Sequence, residues 1–168
     1  LHFNEDIQDK LLEKGHRLDY LTLHVSAGTF QPIKDDKIVD HPMHSEQIVI
    51  KKETIEKLII NENGTIAVGT TSMRTLETLY WYGVKLLTTS DNAFIIEKLY
   101  PYQLNMRNMP SRKKSLTTII EFMEKSGLDE IVGQTEIFIL PGYKFRICDG
   151  LITNYHMPRS TLILLVAA

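Results

Sequence analysis

The chain has 168 residues, 43% of them hydrophobic and 24% charged, which suits one globular unit and excludes a disordered polypeptide. A formal net charge of −2 and a pI near 6.3 exclude a uniformly basic nucleic-acid binder, so any contact with RNA must come from a local patch. The single cysteine, Cys148, excludes an internal disulfide and fits a cytoplasmic protein; the closing apolar run from Leu162 falls far short of the ~20 residues needed to span a bilayer.

Helix and strand signals alternate along the chain. Asn4, Glu5 and Asp6 open a helix with Ile7, Leu11 and Leu12 on one face, ended by Gly15. Tyr20 to Val25 reads as a strand, and so does Glu46 to Lys51. Ile55, Leu58 and Ile59 give the following helix its buried stripe before the Asn63-Gly64 turn. A strand at 66–68 leads into a helix carrying Leu76, Leu79 and Tyr80, capped at Gly83, and then a short buried strand from Val84 to Leu87. This βαβ unit predicts a right-handed crossover.

Residues 90–133 contain Pro101, Pro110 and a helix with Leu116, Ile119, Ile120 and Met123 on one face, ending near Gly127. Glu136 to Leu140 and Phe145 to Thr153 supply two further strands around a Pro141-Gly142 turn. The expected class is α/β, with a mixed, largely parallel sheet and flanking helices.

Polar chemistry concentrates where the apolar runs end. In Ala67-Val-Gly-Thr-Thr-Ser-Met-Arg-Thr-Leu-Glu77, Gly69 breaks a strand, and Thr70, Thr71 and Ser72 open a helix with Arg74 one turn in. The unpaired N–H groups of a helix start bind anions, and the same hydroxyls serve as caps; both readings stay open. His24 ends one strand, and Asn154, Tyr155 and His156 follow another. Pro158 places Arg159, Ser160 and Thr161 at the opening of the last helix. In open α/β sheets ligands sit beyond the carboxyl ends of strands, which is where these groups lie.

His41, His44 and Glu46 lack the helical or Cys-rich context of a zinc site, so acid–base or hydrogen-bonding roles are expected for His44 and Glu46, and no metal. Cys148, between apolar neighbours, is expected to be a buried inert thiol. No Gly-x-Ser-x-Gly, Gly-x-Gly-x-x-Gly or Walker-type motif occurs, which disfavours acyl transfer, a Rossmann methyltransferase and a P-loop enzyme. Arg107, Arg112, Lys113 and Lys114 form a basic cluster around a helix start. Cations are unfavourable there, and a phosphate backbone would relieve that cost.

Four ordered motifs, Thr22-Leu-His-Val-Ser-Ala-Gly-Thr-Phe-Gln-Pro32, His41-Pro-Met-His-Ser-Glu46, the segment 67–77 and Thr153-Asn-Tyr-His-Met-Pro-Arg-Ser-Thr-Leu162, together with Leu1-His2-Phe3, resemble the S-adenosylmethionine:tRNA ribosyltransferase-isomerase family of queuosine synthesis. The resemblance spans residues 1–89 and 134–168. It implies a piece of a single, barrel-like α/β catalytic domain about twice as long, with the N-terminal half, an inserted β domain and the final segment absent, and with residues 90–133 as a family-atypical insertion. Ser26, where the family commonly has Gly, Pro42 and Met73 are local departures.

The family's reaction uses S-adenosylmethionine as a ribosyl donor to 7-aminomethyl-7-deazaguanine in tRNA, giving epoxyqueuosine, adenine and methionine without a metal. That chemistry needs a base at the carbon next to the sulfonium and an acid for departing adenine. The resemblance implies His24 or His44 as base, Glu46 to orient it or balance the sulfonium, and His156 with Asn154 at adenine. Thr70, Thr71, Ser72 and Arg74 would take the methionine carboxylate or a tRNA phosphate, Thr29 would line the substrate site, and Phe30 and Tyr155 would lie against the sulfonium or a base. A monomer is expected. A non-catalytic RNA- or nucleotide-binding domain and a metal-dependent hydrolase are the alternatives from other classes.

Overall fold

The computed structural model describes residues 3–24, 45–158 and 160–168. Asn4 opens helix α1 (Glu5–Glu13) by accepting the Ile7 N–H on its side chain, and the chain leaves through Gly15. Strand β1 (Thr22–His24) is shorter than the sequence suggests, and Val25 lies outside the described residues. Strand β2 (Glu46–Lys51) alternates as expected, burying Glu46, Ile48 and Ile50. Helix α2 (Lys52–Ile60) buries Thr54, Ile55 and Leu58, and strand β3 (Ile66–Val68) follows the turn at Gly64.

The largest departure from the sequence reading is helix α3 (Thr70–Thr88), which runs straight through Gly83 and absorbs the strand expected at Val84 to Leu87. No βαβ crossover forms there. Gly83 is a packing residue and not a cap: a Cβ at this position would overlap the carbonyl and hydroxyl of Ser115 on the facing helix. The Ser115 hydroxyl also donates to the Tyr80 carbonyl at 2.6 Å, holding the two backbones together. Every residue of α3 from Met73 to Lys85 is buried, so the helix is the centre of the core and has no solvent face in that span.

Beyond α3 come strand β4 (Ile95–Ile96), helix α4 (Tyr100–Gln103), a 3₁₀ turn at Met106–Asn108 and helix α5 (Arg112–Ser126). Ser111 caps α5 through the Lys114 N–H, and Gly127 ends it in the left-handed conformation at φ 63°. Leu116, Ile119 and Met123 are fully buried, so residues 90–133 form part of the core. Strand β5 (Glu130–Thr135) precedes the strand expected at Glu136 to Leu140. That stretch follows β4 irregularly, with the Glu136 and Phe138 N–H groups bonded to Ile96 and Lys98 carbonyls. Ile137, Phe138 and Ile139 are all buried, which is why an apolar run there mimics a strand.

Of the strand expected at Phe145 to Thr153, only β6 (Gly150–Ile152) forms. The N–H groups of Arg146, Ile147 and Cys148 instead donate at 2.9 Å to the buried Glu77 carboxylate of α3. Helix α6 (Thr161–Val166) starts three residues beyond Pro158, with Ser160 as its cap.

The class is α/β with a mixed sheet and flanking helices. One sheet has the order β1-β2-β5-β4, antiparallel at β1/β2 and β2/β5 and parallel at β4/β5; β3 and β6 form a separate parallel pair. Parallel pairing does not predominate among these strands. No helix of the described residues is long and apolar enough to cross a membrane.

Two outcomes follow from the packing. Gly83→Ala forces α3 and α5 apart and is expected to destabilise the protein by about 1–3 kcal/mol, read as a lower urea midpoint. Burial raises the pKa of Tyr80, Tyr102, Tyr143 and Cys148, and pushes Tyr82 up to about 12. The folded state holds these protons while the unfolded chain releases its own from about pH 9–10 upward. Their contribution is therefore fully present below about pH 9 and lost as pH rises toward about 12, measured as a urea midpoint that falls across that window.

Candidate active site

Two rims of the fold carry the residues singled out in the sequence. At the first, β1 ends with His24 opposite Gln47, and Glu46 begins β2 opposite Thr135 of β5. His24 is exposed, while Glu46 is buried and faces the core. Above it Arg74 reaches down from α3, placing Nη1 3.1 Å from Glu46 Oε2 and donating from Nε to the Ile137 carbonyl at 3.1 Å. The Thr78 and Thr135 hydroxyls, 2.6 Å apart, close the same face. Burial lowers the Arg74 pKa, opposed by the nearby carboxylates of Glu46 and Glu136.

The second rim lies where β3 and β6 end side by side. The Gly69 N–H donates to the Ile152 carbonyl at 2.8 Å, so the α3 start and the segment Thr153 to His156 are brought together. Gly69, at φ 97°, is the residue before the helix, and no side chain caps the first turn of α3. The three hydroxyls therefore do not act as the N-cap. Thr70 is buried, Thr71 and Ser72 are half-buried, and the helix start keeps its capacity for an anion. His156 Nε2 lies 2.9 Å from the Thr153 hydroxyl, whereas Asn154 and Tyr155 are exposed.

The remaining candidates separate. Arg107, Lys113 and Lys114 are exposed. Arg112 is committed to the fold instead, donating to the carbonyls of Leu58 and Ile147 and to the Thr65 hydroxyl at 3.0, 3.3 and 3.0 Å. Cys148 is buried, and burial raises its pKa, which keeps it an unreactive thiol. Thr29, Phe30, His41 and His44 lie outside the described residues, as do Ser26 and Pro42.

Sequence reasoning missed the polar group around Arg74. Thr78 lies one turn further along α3, whereas Thr135 and Glu136 sit near Arg74 only because β5 ends there, and periodicity places no strand at 130–135. It also missed Glu77, whose i, i+4 relation to Trp81 offered no signal of a partner 66 positions away, the Tyr143 hydroxyl at 2.8 Å.

The model of the queuosine biosynthesis protein family matches residues 1–168. The chain belongs to this family. Family members named S-adenosylmethionine:tRNA ribosyltransferase-isomerase are similar throughout: that of Finegoldia magna is 38% identical over 173 residues, and that of Clostridium kluyveri 40% over 171. Both alignments cover 100% of this chain and 38% of the relative, so the chain spans under two fifths of their length. A crystal structure named S-adenosylmethionine tRNA ribosyltransferase, from Thermotoga maritima, superposes with a TM-score of 0.55 at 29% identity, over 99% of this chain and 39% of that one.

In this queuosine family chain the Glu46–Arg74 pair is the most buried charge contact of the site, with side chains 1% and 6% exposed. Glu46→Leu and Arg74→Leu are each expected to cost about 3–5 kcal/mol by stranding the other charge, and the double variant much less than their sum. Urea denaturation of the four proteins measures this cycle.

Proposed function

We propose that the full-length protein transfers and isomerises the ribosyl group of S-adenosylmethionine onto 7-aminomethyl-7-deazaguanine in tRNA, giving epoxyqueuosine-tRNA, adenine and methionine. The observation that carries this reading is similarity along the whole chain, 38–40% identical, to proteins named for that activity. Histidines at two rims joined through the first turns of one helix support it.

The sulfonium acidifies its neighbouring 5′ carbon, and His24, exposed at the end of β1, is the base that takes the proton; His44 is the second candidate. His156, steadied by Thr153, protonates departing adenine, with Asn154 beside it for the purine edge. Tyr155, fully exposed, offers an aromatic face to the sulfonium or to a base. Thr29 and Phe30 belong to the same substrate site.

The uncapped start of α3 at Thr70, Thr71 and Ser72 takes an anionic group of one substrate. The exposed cations Arg107, Lys113 and Lys114 are free to approach the tRNA phosphates, whereas Arg112 contributes by holding the start of α5 in place. No metal is required by this scheme.

Adenine release from S-adenosylmethionine by the full-length protein tests the proposal. Release is expected only with tRNA carrying the aminomethyl-deazaguanine base, and His156→Ala is expected to slow it by roughly 10²–10⁴-fold while binding persists. Binding of both substrates without any adenine release would instead identify a non-catalytic binding domain.

A further inference from the structure

Buried polar atoms are normally bonded, and those left over call for an explanation. Among the described residues, six buried side-chain atoms lack a hydrogen-bond partner: Thr75 Oγ1, Tyr100 Oη and Arg146 Nε stand singly, whereas both carboxylate oxygens of Glu46 and Arg74 Nη2 belong to one ion pair. Glu46 Oε2 meets Arg74 Nη1 as an ionic contact at 3.1 Å, which leaves Oε1 and Nη2 unused by either partner. A pair serving the fold alone would be expected to fill those positions, as Glu77 does with four donors.

The unused atoms are an acceptor on an anion and a donor on the adjoining cation. Their complement is a ligand with a carboxylate and an ammonium side by side, the head group of an α-amino acid. Resting on the transferase reading above, we propose that Glu46 and Arg74 together receive the methionyl head group of S-adenosylmethionine. Arg74 Nη2 donates to the α-carboxylate, and Glu46 Oε1 accepts from the α-ammonium.

Charge separates this ligand from a phosphate. Arg74 lies within the field of two carboxylates, Glu46 and Glu136. A phosphodiester brought to that spot adds a further negative charge beside them, whereas a zwitterion adds none, and its ammonium can meet the Glu46 oxygen that Arg74 leaves unused. Glu46 is the first residue of β2, at the sheet end where β1 stops, and it projects to the buried face, while His24, paired with Gln47, projects to the exposed one. Glu46 thereby becomes a binding residue, leaving proton transfer to the histidines.

Three ligands test the assignment by equilibrium dialysis on the full-length protein: S-adenosylmethionine; its decarboxylated form, which keeps the ammonium; and 5′-deoxy-5′-dimethylsulfonioadenosine, which lacks both groups. Each loss is expected to weaken binding by roughly 10- to 100-fold. Arg74→Lys should shrink the ratio between the first two ligands, and Glu46→Gln the ratio between the last two. Ratios within one variant do not depend on how much of it is folded.

Equal affinities of the wild-type protein for all three ligands would overturn the proposal, and so would variants that weaken all three alike. Head-group dependence without adenine release from modified tRNA would uphold it while overturning the transferase reading. Absence of binding by any of the three would overturn both.

Discussion

The carboxylate of Glu77 is the contact on which the rest of the structure hangs. It sits inside the core on α3 and collects the Tyr143 hydroxyl and three successive backbone N–H groups, from Arg146, Ile147 and Cys148. Such charge-assisted bonds are about twice as strong as neutral ones, and three consecutive N–H groups turned toward one anion form a nest that fixes the backbone. Tyr143 extends the network by accepting the Trp81 indole N–H at 2.6 Å. One anion thus converts a stretch of apolar sequence from a strand into an anchored approach to β6.

What β6 does next depends on that anchoring. It pairs in parallel with β3, and the Asp149 N–H immediately before it donates to the Thr65 carbonyl. Arg112 ties the same region to α2 and α5 through Leu58, Thr65 and Ile147. Because β3 and β6 run together, their ends deliver the α3 start and the His156 segment to one rim. The other rim arises from another polar contact of the same helix, Arg74 on Glu46. Helix α3 therefore carries both the scaffold anion and the cation of the candidate site within one buried span.

Much of this was legible in the sequence, and the reasons for the rest are specific. Helices α1, α2 and α5 are amphipathic and end in recognisable caps or turns, so their periodicity reads directly. Helix α3 does not, because burial on all sides removes the contrast between faces, and Gly83 in such a helix looks like a stop. Its role in helix–helix contact is a tertiary fact that no local pattern encodes. The gathering of polar groups at the strand ends was readable, since hydroxyls, amides and histidines interrupt apolar runs there. Which of those residues face one another was not: the Glu46–Arg74 and Glu77–Tyr143 pairs join chain positions far apart.

The antiparallel pairing of β2 with β5 has a consequence for how the molecule is made. Ser45 and Gln134, whose side chains meet at this edge, are 89 positions apart, with α2, α3 and α5 between them. Closing so long a loop is entropically costly until the intervening helices have condensed, which favours packing of the helices ahead of this pairing. Glu46 and Thr135 come face to face only through this pairing. The rim with Glu46 therefore depends on a contact between distant parts of the chain, and helices packed without that pairing would leave the candidate site unmade.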